Sequence, residues 1–205
     1  MCDVEGLYMY LISVYFDDES NRKLQQLINH VAEKTGNSFM SDNHVPPHMT
    51  VASIETKHED EVLACLEQLV VEGSFEIGRC EQKTSLRMAC TLDELEEKCE
   101  EVQWVSVGSF VPQVLYVQPV LNEYLHQMSC VLTEELGKIP ETILSPYYQP
   151  FSWLPHCTIA KQLSKEQMLH GYEVLQNQFA PFSGRVTKIG IAKTNPHRDI
   201  RVWEI

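Results

Sequence analysis

The sequence predicts a mixed α/β fold of the α+β kind, in which one unit of alternating strands and helices is used twice. Three observations predict it. Short runs of β-branched and aromatic residues alternate with amphipathic runs at helical spacing. The composition, 43% hydrophobic and 22% charged over 205 residues, suits a globular chain with a substantial core. The order of elements, with several of their residues, then recurs in the second half.

Leu7 to Phe16 reads as a buried strand. It is far shorter than the roughly 20 apolar residues a membrane span needs. Acidic Asp3 and Glu5 precede it, the wrong charge for a signal peptide, so a cytoplasmic location is expected. Asp17 to Ser20 offer helix caps, Leu24, Leu27, Ile28 and Val31 follow at helical spacing, and Gly36 is a stop. A loop from Asn37 to Pro47 leads to a strand from His48 to Ile54, a helix from Glu59 to Val70 and a strand near Phe75 to Cys80. The second half offers a strand at Val114 to Val117, a helix from Leu121 to Leu136 closed by Gly137, and a proline-containing loop from Lys138 to Pro155. A strand from His156 to Lys161, a helix from Lys165 to Phe179 and strands near Arg185 to Lys193 and Ile200 to Ile205 complete it.

The repetition lies in the residues themselves. Asn21, Leu24, Gln26, Leu27 and Gly36 match Asn122, Leu125, Gln127, Met128 and Gly137 at a constant offset. Further on, Pro47-His48-Met49-Thr50-Val51-Ala52 matches Pro155-His156-Cys157-Thr158-Ile159-Ala160. This divides a single domain, 1–205, into a first repeat (7–80), an acidic insertion (81–103) and a second repeat (104–205). The insertion reads as a solvated helix or lid without chemistry of its own.

A net charge of −13 repels a long phosphate backbone, so no partner of the duplex-coating kind is expected. A nucleotide or short RNA end still fits a pocket with a few local cations. The seven cysteines are scattered and odd in number, as in a reduced protein. A monomer is the default.

The two His-x-Thr pairs carry the chemistry. Residues two apart on a strand share a face, so His48 projects with Thr50 and His156 with Thr158, while Met49, Val51, Cys157 and Ile159 face a core. One imidazole can take a proton from water while the other gives one to a departing oxygen. The hydroxyls can donate to the non-bridging oxygens of a phosphate, where charge builds. Two histidines with no cysteine or carboxylate at ligand spacing make a poor zinc set, so no metal and no cofactor is expected.

These motifs resemble the signature of the 2H phosphoesterase superfamily, and within it the LigT-like, or 2′-5′ RNA ligase, group. The resemblance implies a bilobal fold with pseudo-twofold symmetry, each lobe an antiparallel sheet flanked by helices, with the active-site groove between the sheets. It implies a cyclic phosphodiesterase that opens a 2′,3′-cyclic phosphate, with a reverse 2′-5′ ligation in some members. It assigns His48 and His156 to catalysis and Thr50 and Thr158 to phosphate. Lys161 occupies the place of a cation that often follows the second motif, although strand alternation starts it on the opposite face. Tyr148, Phe151 and Trp153, with Tyr147, read first as core or lid residues and, as the alternative, as a stacking platform for a base. Other substrates compatible with this chemistry are cyclic nucleotides, signalling cyclic oligonucleotides and ADP-ribose cyclic phosphate. A phosphate-binding module without turnover is the non-enzymatic alternative. His30, His58, His126 and His170 read as surface or packing residues, and His44 and His197 as loop residues.

Overall fold

The computed structural model describes residues 7–75, 101–194 and 198–205. Strand β1 (Tyr8–Phe16) runs into helix α1 (Asp18–Thr35). Asp17 caps α1 by accepting from the Ser20 N–H, and Gly36 ends it at a left-handed φ of 67° that glycine adopts without strain. The expected loop contains a short helix, α2 (Phe39–Asp42), before β2 (Met49–Thr56) and α3 (Glu59–Val71). The strand expected near Phe75 to Cys80 lies, beyond Phe75 itself, outside the described residues, as do residues 81–100 of the insertion and His197.

The insertion ends earlier than the sequence suggests. Glu101, Val102 and Gln103 begin a strand, β3 (Glu101–Phe110), on which Val102 and Trp104 are fully buried. It turns into β4 (Val114–Pro119), followed by α4 (Glu123–Leu136) with Asn122 as its side-chain cap. The long loop carries a two-residue strand, β5 (Ile143–Leu144), and a 3₁₀ turn (Pro146–Tyr148). Then come β6 (Cys157–Ala160), α5 (Lys165–Gln178) opened by a Ser164/Gln167 capping box, β7 (Phe182–Lys193) and β8 (Arg198–Glu204).

Among the described residues, eight strands, all antiparallel, are hydrogen-bonded in the order β1-β2-β6-β4-β3-β7-β8, with β5 on β2. Strand β7 also pairs with β1, so the path returns to its start. The strands of the two repeats are thus continuous through two seams. At one, β7 gives its first residues to β3 and the rest to β1. At the other, β2 meets β6 through one residue pair, Met49 opposite Cys157.

The helices cross between repeats. α1 packs on α5 and on β6, and α4 packs on α3 and on β2. Each motif strand is therefore covered by a helix from the other repeat. Met49, Val51, Cys157 and Ile159 are wholly buried, as strand alternation predicts. Each such side chain contributes about 1.5–3 kcal/mol on burial.

Candidate active site

Both motifs sit at the β2–β6 seam. With Met49 opposite Cys157 in an antiparallel pair, His48 comes beside Thr158 and Thr50 beside His156, all four on one face. That face lines a cleft of about 910 Å³ which contains His48, Thr50, His156 and Thr158 together. Two segments over a hundred residues apart in the chain thus present matching side chains to one volume.

The imidazoles are held alike. His48 Nδ1 lies 2.8 Å from the Pro46 carbonyl, and His156 Nδ1 lies 2.8 Å from the Leu154 carbonyl. A carbonyl only accepts, so each Nδ1 donates, and in the neutral ring Nε2 is the basic nitrogen. The surroundings of the two differ. His156 has the edge of Phe110 at 4.8 Å and Tyr116 at 5.4 Å, whereas Tyr15 is 6.5 Å from His48. Burial among these rings disfavours the imidazolium and lowers the His156 pKa from its ordinary value, against the opposing Leu154 hydrogen bond.

The hydroxyls differ too. Thr50 is buried, its Oγ1 3.1 Å from Ser13 Oγ on the neighbouring strand. When Ser13 donates in this pair, the Thr50 proton is left for a ligand. Thr158 lies opposite Tyr116 in the β4–β6 ladder. Ser13 carried one visible signal, the one small polar side chain inside an apolar and aromatic strand run.

Lys161 does reach the cleft. β6 ends at Ala160, so alternation no longer binds Lys161 to the far face. Its Nζ lies 5.9 Å from the Phe39 ring centre, and the Gln162 carbonyl accepts from Asn37 Nδ2. No Asp or Glu lines this cleft among the described residues, on a chain with 29 of them. The charge pattern favours a small anion.

The aromatic platform needs correction. Phe151 does not line the cleft. It is 89% exposed, has a left-handed φ of 66° and packs on His126 of α4 at 4.7 Å. Trp153 lines the cleft but is only 5% exposed, and its indole N–H donates to the Thr50 carbonyl at 3.0 Å. It thereby ties the first motif to the loop before the second. Ser145, on the same loop, donates to the Ser53 carbonyl, and β5 pairs with Ile54 and Glu55. Tyr148 lines the cleft half-buried, and burial raises its pKa. Tyr147, 79% exposed, and Phe110 on the β3–β4 hairpin are the cleft's exposed aromatics. His30, His44, His58, His126 and His170 do not line it. Among the described residues, no three His, Cys, Asp or Glu side chains gather as a metal-ligand set.

A model of the 2′-5′ RNA ligase superfamily matches residues 16–198, most of the chain and both motifs. The chain belongs to this superfamily of 2H phosphoesterases. The fold agrees with it. The crystal structure of Escherichia coli LigT complexed with ATP aligns with a TM-score of 0.50 and 14% identity over 98% of this chain and 99% of that one. LigT complexed with 3′-AMP gives 0.49 and 12% over 98% and 99%. No curated protein sequence matches the chain. As a superfamily member it is an α/β protein, and none of its described helices is long and apolar enough to cross a membrane.

Proposed function

We propose that this 2H phosphoesterase hydrolyses a cyclic 2′,3′-type or 2′-5′ phosphodiester in a nucleotide or RNA end, without a metal. The observation that carries the reading is the Met49–Cys157 pair, which sets two His-x-Thr motifs side by side in a cleft that no carboxylate lines among the described residues. His156, kept neutral by burial, takes the proton from a water molecule as its oxygen attacks phosphorus. In a 2′,3′-cyclic phosphate the P–O3′ bond breaks, and His48 delivers a proton to the departing O3′, leaving a 2′-phosphate; in a 2′-5′ linkage the departing oxygen is one of the two bridging oxygens, protonated in the same way. Thr50 and Thr158 donate to the non-bridging oxygens as negative charge grows on them. Lys161 balances the phosphate charge from the cleft rim.

The test is a panel of 2′,3′-cyclic nucleotides, 3′,5′-cyclic nucleotides, 2′-5′ dinucleotides and ADP-ribose cyclic phosphate, each followed by phosphorus NMR with and without chelator. Turnover of the first or third class, unaffected by chelation, is expected. Binding without product would favour a phosphate-binding module instead. The pH–rate profile should be bell-shaped. A base works only when deprotonated, so the lowered His156 pKa places the acidic arm of kcat/KM below the ordinary histidine value of about 6.5. An acidic arm above that value would contradict His156 as the base.

Lys161→Ala should raise KM roughly tenfold, the loss of one charge-assisted contact at a wet site, with little change in kcat. The salt dependence of KM should flatten in the same variant.

A further inference from the structure

The reading above uses His156 but leaves open what holds its ring. Gly108 stands opposite Tyr116 in the β3–β4 ladder, and Tyr116 stands opposite Thr158 in the β4–β6 ladder. Directly opposed residues share a face, so Gly108, Tyr116 and Thr158 form one row across the sheet on the side of His156. Phe110, two residues along β3, stands beside that row. The Tyr116 ring leans along the row over Gly108. A Cβ added there would fall 2.5 Å from Tyr116 Cζ and 2.6 Å from both Cε2 and Oη. Real atoms do not approach so closely, and only glycine leaves the ring this berth.

The same ring touches Phe110 at 4.5 Å between centres, and both rings contact His156. Tyr116 is 7% exposed, so it has little free space to move into. A ring displaced from Gly108 therefore presses on the rings it already touches, Phe110 and His156.

We propose that Gly108 is a positioning residue for His156: by having no side chain it lets Tyr116 lie across β3, and the Tyr116–Phe110 pair then fixes the imidazole against the Leu154 carbonyl. Tyr116 is a positioning residue by the same argument. The consequence for turnover rests on His156 acting as proposed above; the placement of the ring does not.

The test compares Gly108→Ala, Tyr116→Leu and the double variant. It reads kcat and KM on a 2′,3′-cyclic nucleotide and, without substrate, the NMR shifts of the His156 and His48 ring protons. Gly108→Ala should lower kcat about tenfold or more with KM little changed, as a misplaced catalytic group does. It should shift the His156 ring resonances, which feel the neighbouring rings, and leave those of His48 in place. Tyr116→Leu should also lower kcat. The double variant should be no worse than Tyr116→Leu alone, because the added methyl then meets no ring. A Gly108→Ala protein with wild-type kcat and unshifted His156 resonances would overturn the proposal, as would losses that multiply in the double variant. Should Gly108→Ala fail to fold, the comparison of Tyr116→Leu with the double variant decides alone. If the wild-type protein cleaves no phosphodiester tried, the functional reading fails, while the resonances still decide the positioning.

Discussion

His156→Ala is expected to lower kcat by about 10²–10⁴-fold on any substrate the protein turns over, and His48→Ala by a similar factor. The two imidazoles act on opposite sides of one phosphorus, so the double variant should lose little beyond the worse single one. Binding of a non-hydrolysable phosphate analogue should survive in all three, because Thr50, Thr158 and Lys161 remain in the cleft. Retained binding with lost turnover separates this mechanism from a phosphate-binding module. His156→Ala with full activity would remove the mechanism, whatever the substrate.

Trp153→Ala is expected to cost stability rather than nucleotide selectivity. The side chain is 5% exposed and its N–H donates to the carbonyl of Thr50. Truncation of a buried tryptophan costs about 3–5 kcal/mol, much of what a domain of this size has in hand. Trp153→Phe keeps most of the volume and removes the donor, leaving the Thr50 carbonyl without it, at roughly 1–3 kcal/mol. Urea unfolding should therefore order the proteins as wild type, Phe variant, Ala variant. A base platform would behave otherwise: KM would rise for purine and pyrimidine substrates alike while the unfolding midpoint stayed fixed. That outcome would return Trp153 to the ligand.

Much of this was legible in the sequence because local rules govern it. They set the helix end at Gly36 and the alternation that buries Met49, Val51, Cys157 and Ile159 and turns each His-x-Thr pair to the opposite face of its own strand. The four motif side chains were readable because they repeat. What the sequence hid depends on contacts between distant segments. Phe151 and Trp153 are two residues apart in a proline-containing loop, yet one faces solvent and the other fills the space beside β2, because a loop has no fixed period. Lys161 reaches the cleft because β6 stops at Ala160, one residue short of it, and a strand's last residue is not marked in the sequence. Glu101 to Gln103 looked like the end of an acidic insertion, and only the pairing of Glu101 with Arg185, Val102 with Gly184 and Gln103 with Ser183 makes them strand. Gly108 falls in a stretch, 104–113, in which the sequence predicts no strand, so nothing local marks it as a close approach.

The return of the strand path to its start bears on how the chain comes off the ribosome. β1 emerges well before β7, whose Ile191 lies opposite Ile12. At typical synthesis rates, that delay is on the order of 10–40 s. During it, an apolar strand with an unpaired edge waits in a growing polypeptide, a species prone to aggregate and suited to chaperone capture.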